Sequence, residues 1–266
     1  MESKSTAHAD TRDIGSRLPS FRAVLFDLDG VLTPTAQVHL AAWRATFDEL
    51  LATVAAGSGS DTRPFSDDDY RRLVDGKSRE DGVRAFLASR AVSLPEGDPD
   101  DPPTADTVQG IGNRKNAAVL ALLEREPLDP YAGSVALVNQ LRQRGVSMAV
   151  VSASRNCSAV LAAAGLADLF DAQVDGEVAA RMRLAGKPSP DTFLAAAEML
   201  GVPPENCVVI EDAIAGVAAG RAGRFGLVVG VARDGNDEAL LVAGADLIVS
   251  DLGELLDASP DQMGSR

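Results

Sequence analysis

The sequence predicts an α/β fold: a doubly wound, Rossmann-like parallel sheet core with an all-helical domain inserted after its first strand. Three observations predict it. Short apolar runs such as Ala23-Val24-Leu25 and Val208-Val209-Ile210 read as strands buried on both faces. From Pro130 onward such runs alternate with helix-length segments, the pattern of a parallel sheet covered on both sides. Residues 34–127, by contrast, carry helical periodicity and no convincing strand.

Composition agrees. The 266 residues are 45% hydrophobic, enough for one large domain and a smaller one. Aromatics are only 4%, and the apolar content is mostly Ala, Val and Leu, which suits helices packed on parallel strands. A formal charge of −14 argues against nucleic acid or an anionic membrane as partner, because phosphates are repelled globally. A phosphorylated metabolite remains compatible where Lys and Arg are concentrated locally. Cys157 and Cys207 are too sparse for a disulfide framework or a zinc cluster and read as small core residues. No apolar run approaches membrane-spanning length, and Met1 to Pro19 is too polar for a secretory signal, so a cytoplasmic protein is expected.

Taken in order, residues 1–19 are polar and aperiodic, as in a disordered tail. A first strand covers Arg22–Phe26. Leu40, Trp43, Phe47, Leu50 and Val54 then follow three-four spacing and predict a helix ending near Gly57. Ser66 opens a second helix, with Asp69 placed for a capping box, that stops near Gly76. Ser78 opens a third that runs to Arg90. Residues 95–107 form a Pro/Asp-rich loop, and a helix over 107–126, weakened by Gly110 and Gly112, completes the insert. The expected division is thus 20–33 and 128–266 for the core and 34–127 for the helical insert. In the core the expectations are helix 133–144, strand Ser147–Val151, helix 156–164, strand Ala172–Val174 and helix 190–200. Strand Val208–Ile210, helix 213–222, strand Gly226–Val231, a short helix and strand Leu247–Val249 follow.

The chemistry sits at the strand ends, where open α/β sheets bind ligands. Asp27 and Asp29 follow the first strand, and Gly30 lets the chain turn out of the sheet. After Val151 come Ser152, Ala153, Ser154, Arg155 and Asn156, hydroxyls and backbone N–H groups that can cradle an anion. Glu211 and Asp212 follow the strand at 208–210, and Lys187 lies just before a helix. Separately, each has a plain reading: an Asp-Gly turn, a helix N-cap, a solvated lysine, an acidic first turn. Together they supply carboxylates for a hard divalent cation and a Lys and a Ser for a phosphate.

In that order, Asp27-x-Asp29-Gly30, Ser152, Lys187 and Glu211-Asp212 resemble the four motifs of the haloacid dehalogenase superfamily of aspartate-nucleophile phosphotransferases. The resemblance spans residues 21–256. The strings Phe26–Thr35 with His39 and Trp43, Gly76-x-Ser78-Arg79-Glu80-Asp81, Asn113–Asn116 and Ser152–Asn156 are similar to the beta-phosphoglucomutase-like branch, as is Gly186-Lys187-Pro188-x-Pro190-Asp191.

The resemblance implies that Asp27 is the nucleophile and Asp29 the general acid/base. Mg²⁺ would be held by Asp27, the Asp29 carbonyl, Glu211 and Asp212. Ser152 and Lys187 would hold the transferring phosphoryl group. It makes the insert a cap whose His39 hydrogen-bonds Asp29, with Thr35 one turn earlier and Trp43 in the cap core or bordering the sugar. Arg79 would grip the second phosphate, Gly76 and Ser78 would contact the substrate, and Lys115 would reach it. Ala153, Ser154, Arg155 and Asn156 would lie near the distal phosphate or sugar. The implied reaction interconverts beta-glucose 1-phosphate and glucose 6-phosphate through the 1,6-bisphosphate, in a monomer or weak dimer, with a Mg²⁺-dependent sugar-phosphate phosphatase as alternative. A non-enzymatic phosphate-binding protein would be expected to lack Asp27 or the metal carboxylates, and the chain keeps both. Three departures stand out: Pro34 where the branch is often acidic, Ala213 where a hydroxyl is common, and a longer approach to Lys187 over 180–185. Arg181 and Arg183 in that approach either select an anion or face solvent.

Overall fold

The computed structural model describes residues 20–53, 61–123, 128–233 and 235–256. The expected tail 1–19 and the helix ends near Gly57 and Glu126 lie outside the described residues. Six parallel strands form one sheet in the order β3-β2-β1-β4-β5-β6. They are β1 (Ala23–Phe26), β2 (Ser147–Val151), β3 (Ala172–Val174), β4 (Cys207–Glu211), β5 (Leu227–Val231) and β6 (Leu247–Val249). The order reverses at β1, so a crevice opens beyond its carboxyl end, flanked by β2 and β4.

Alternation along each strand divides the core. Val24 and Phe26 face one way with Val150 and Ile210, and they pack under helices Ala132–Gln143 and Cys157–Ala163. Ala23 and Leu25 face the other way with Val151 and Val209, against helices Asp191–Met199 and Ile214–Ala222. Because both faces are covered, β1 is fully buried and must be apolar at every position, which is why it reads as a continuous run. Register then aligns the strand ends: Phe26 pairs with Val150 on one side and Ile210 on the other. Asp27, Ser152 and Glu211 therefore emerge at one edge.

Between β1 and Ala132 the regular elements among the described residues are helices: α1 (Thr35–Thr53), α2 (Asp67–Asp69) continuing as a π-helical turn over Tyr70–Val74, α3 (Arg79–Ser89) and α4 (Val108–Leu123). This insert has its own apolar core. Phe47 lies between Trp43 and Phe86, with ring centroids 4.7 and 3.8 Å away and both pairs stacked. The capping box expected at Ser66 and Asp69 is present. Asp69 also forms an ion pair with the buried Arg90 at 2.7 Å, tying the end of α2 to the end of α3. Gly112 leaves room for the Arg79 side chain, since a Cβ there would lie 3.1 Å from its Cγ.

One α-helix was not expected. Residues Gly176–Met182 form a helix, where the sequence reads only as an approach to Lys187. Its start is set by Asp175, whose carboxylate accepts from the N–H groups of Glu177 and Val178 at 3.0 and 2.9 Å. An Asp N-cap before a glycine was the available signal.

Removing the central ring of the insert should be costly: Phe47→Ala is expected to lose about 3–5 kcal/mol in urea denaturation, the range for a buried Phe. A loss below about 1 kcal/mol would show that the insert core is not packed as described.

Candidate active site

One cavity of about 520 Å³ lies between the carboxyl edge of the sheet and the insert. Its floor is electrostatic. Lys187, almost fully buried, places Nζ 2.6 Å from Asp27 Oδ1 and 2.5 Å from Glu211 Oε1, and also donates to the Val151 carbonyl at 3.1 Å. The ammonium lies 4.9 Å from the Phe193 ring centroid. Burial alone would lower the Lys187 pKa, but Asp27 and Glu211 overcome it and hold the group cationic. Asp27 is pushed well up by burial, with Glu211 and Asp29 adding to the push against Lys187. Asp212 is likewise raised by burial, then by the charges of Asp75, Glu211, Asp27 and Asp29.

Asp27, Glu211 and Asp212 each offer a carboxylate oxygen within 4.8 Å of the others, an all-oxygen set suited to a hard cation. The fit is close-built. Gly30 has φ +90°, and a Cβ there would lie 1.8 Å from Asp212 Oδ2, so only glycine lets the two acidic turns touch. Glu211 is fully buried beneath the cavity, and its second oxygen accepts from the Ala213 N–H at 2.8 Å. It therefore braces Lys187 as well as lying within reach of a cation.

Asp29 is held separately. Thr35 donates to Oδ1, and Thr33 lies 2.8 Å from the Thr35 hydroxyl. Thr35 is fully buried behind Asp29, outside the cavity lining, and its hydroxyl contacts the carboxylate. Ser152 donates to Oδ2 at 3.4 Å. His39 Nε2 faces Oδ1 at 3.5 Å, while Lys115 Nζ sits 2.8 Å from His39 Nδ1 and 5.1 Å from the Trp43 ring centroid. Donation from Lys115 to Nδ1 leaves Nε2 to carry the proton facing Asp29. Burial, then the Lys115 charge, lowers His39 to about 4, against the opposing pull of Asp29. Burial brings Lys115 down to about 7 despite Asp29, with Arg79 adding to the fall.

Trp43, Gly76, Ser78, Arg79, Ala153, Ser154, Arg155 and Asn156 all line the cavity. Ser78 and Ser154 also serve the backbone, accepting from the N–H groups of Asp81 and Asn156. Arg79 and Arg155 share Glu80, at 3.5 and 3.4 Å. Asn156 donates to the Asn116 side chain of the insert at 2.9 Å. Gly76 closes on the core, since a Cβ there would lie 2.9 Å from the Ala213 Cβ. The methyl of Ala213 thus takes the place where a hydroxyl was expected. Arg181 and Arg183 are exposed and do not line the cavity, whereas Ala179, Ala180, Leu184 and Ala185 do.

Among the cavity residues that the sequence did not single out, Asp75 and Tyr70 stand apart. Asp75 reads as half of an Asp-Gly turn, yet burial and the Glu211 charge raise it to about 7. Tyr70, beside it, is raised well up by burial and by Asp75. Among the described residues no helix is long and apolar enough to cross a membrane.

Comparisons with known proteins agree with this geometry. A family model described as haloacid dehalogenase-like hydrolase matches residues 21–224. The chain is 50% identical over 239 residues to a beta-phosphoglucomutase of Mycobacterium tuberculosis (strain CDC 1551 / Oshkosh), covering 88% of this chain and 91% of the relative. It is 34% identical over 236 residues to that of Bacillus subtilis (strain 168), covering 88% and 91%. The crystal structure of beta-phosphoglucomutase from Clostridium difficile superimposes with a TM-score of 0.69 at 27% identity, covering 91% of this chain and 95% of that one.

A buried His39 held neutral binds fewer protons than the unfolded chain between its ordinary 6.5 and about 4. Its contribution therefore makes stability rise with pH across that window and fall as pH drops through it. His39→Gln should remove that part of the slope in thermal or urea melts; identical slopes in the two proteins would contradict a neutral imidazole.

Proposed function

The chain belongs to the haloacid dehalogenase-like hydrolase family, and we propose that within it the protein is a beta-phosphoglucomutase. It interconverts beta-D-glucose 1-phosphate and glucose 6-phosphate through the 1,6-bisphosphate and an aspartyl phosphate on Asp27. One observation carries the reading: a single cavity is lined by Lys187 and Ser152 beside Asp27 and also by Arg79 and Arg155. A monophosphate hydrolase needs one phosphate grip, whereas a mutase must hold the second phosphate while the first is transferred. The volume of about 520 Å³ suits a hexose bisphosphate.

In this account the Asp27 carboxylate attacks phosphorus in line with the departing sugar oxygen. Lys187 and the Ser152 hydroxyl stabilise charge on the phosphoryl oxygens. Asp29 protonates the leaving oxygen and later takes the proton of the incoming hydroxyl. Thr35 and His39 fix the Asp29 carboxylate, and Lys115 supports His39, so proton transfer depends on α1 and α4 of the insert being seated. Asp27, Asp212, Glu211 and the Asp29 carbonyl would hold Mg²⁺, which would supply the positive charge that lets a carboxylate approach a phosphate. Residues 34–127 act as the cap, and 20–33 with 128–266 as the catalytic core of a cytoplasmic enzyme. The grip on the second phosphate falls to Arg79, aided by Arg155, since Lys115 is committed to His39.

With Mg²⁺ and a trace of bisphosphate, beta-glucose 1-phosphate should yield glucose 6-phosphate; free phosphate in its place would reject the mutase and leave the phosphatase. Arg79→Ala should lower mutase kcat/KM by about 10- to 100-fold, the worth of a charge-assisted contact, with little effect on hydrolysis of a small aryl phosphate. Equal loss in both assays would remove Arg79 from the second-phosphate grip.

A further inference from the structure

The loop after β5 carries a contact set that none of the roles above uses. Arg233 Nε donates to the Gly30 carbonyl at 2.9 Å. Its Nη1 reaches Asp251 Oδ2 at 2.9 Å and the Ser250 carbonyl at 3.3 Å. The guanidinium lies over the Tyr131 ring, 3.5 Å from the centroid. Only 19% of the side chain is exposed, so these contacts form in a weakly screened environment. Three residues on, the Asn236 amide donates to the Asp212 carbonyl at 3.3 Å.

One short loop therefore holds the main chain of both acidic turns. Gly30 is the place where those turns meet, because no side chain fits between it and Asp212. Its amide donates to the Thr33 carbonyl at 2.7 Å and its carbonyl accepts from Arg233, so the Arg233 bond sets the tilt of the peptide that follows Gly30. Tyr131 adds a second link, since its N–H donates to the Leu32 carbonyl at 3.0 Å. Where the chain returns from the helical insert, it is thus tied to the same turn that Arg233 holds.

We propose that Arg233 is a positioning residue: it locks the Gly30 turn against Asp212, so that the carboxylates of Asp27, Asp29 and Asp212 converge. The planar fork does this by bonding in two directions while its face stacks on Tyr131, a combination a lysine cannot reproduce. Misplacement of a reacting group by about 1 Å costs on the order of 100-fold in rate, so the effect belongs in kcat and in cation affinity. The proposal rests on the functional reading above for the role of Asp29, but not for the convergence of Asp27 and Asp212.

The test uses the full chain with Arg233→Met, Arg233→Lys and Asp251→Asn. Mg²⁺ affinity is measured by calorimetry without substrate, and aryl phosphate hydrolysis is measured per folded molecule, with folding checked by urea melts. Arg233→Met should weaken Mg²⁺ binding by about tenfold and lower kcat by about tenfold or more with KM little changed. Arg233→Lys should recover part of both losses, as it restores one donor toward Gly30. If Arg233→Met fails to fold, Asp251→Asn, which frees the far side of the fork, should show the same two effects in milder form. Unchanged Mg²⁺ affinity and kcat per folded molecule would overturn the proposal, as would losses that only track the unfolded fraction. Wild-type protein that binds Mg²⁺ but fails the mutase assay would sink the functional reading and leave this one standing.

Discussion

The site depends on the buried ammonium of Lys187. Lys187 bridges Asp27 and Glu211 at the one edge where β1, β2 and β4 deliver their polar ends. Removing one partner of such a buried pair commonly costs about 3–5 kcal/mol, because the other is left charged and unpaired. Lys187 pairs with Asp27 and Glu211, while Asp29, Asp75 and Asp212 crowd the same site, so these carboxylates are under-neutralised. Burial and mutual repulsion therefore push Asp27 and Asp212 up. A nucleophilic carboxylate must nevertheless be ionised. A divalent cation held among Asp27, Glu211 and Asp212 would resolve that conflict by lowering the pKa values that crowding raises.

The insert solves a different problem. In the proposed mechanism Asp29 donates and accepts protons in turn, which requires a fixed carboxylate shielded from water. Its partners Thr35 and His39 lie on α1, and Lys115 on α4 supports His39, so seating the insert and orienting Asp29 are one event. The same seating places Gly76 against Ala213 and Arg79 in the cavity lining. Coupling of this kind lets a phosphoenzyme favour a sugar hydroxyl over water.

Much of this was legible in the sequence because it is local. Ala23 to Phe26 had to be apolar on both faces, and parallel register then carried Asp27, Ser152 and Glu211 to a common edge without any tertiary information. The helices of the insert followed from the spacing of Trp43 and Phe47 and from the Ser66 cap. What escaped was set by partners distant in the chain. Lys115 meets His39 across 76 residues, and nothing in its neighbours shows that its ammonium faces an imidazole. Asp75 looks like any Asp-Gly turn until Glu211 is placed beside it. Arg233 looks like any loop arginine until Gly30, Tyr131 and Asp251 converge on it.

The central claim is that Asp27, held against Lys187, accepts the phosphoryl group. Its most direct test is to mix the Mg²⁺-loaded protein with hexose bisphosphate, quench, reduce with borohydride and map the product by mass spectrometry. An aspartyl phosphate is reduced to homoserine, so conversion confined to residue 27, and absent in Asp27→Asn, is the expected result. Conversion at another residue, or none while turnover proceeds, would contradict the account.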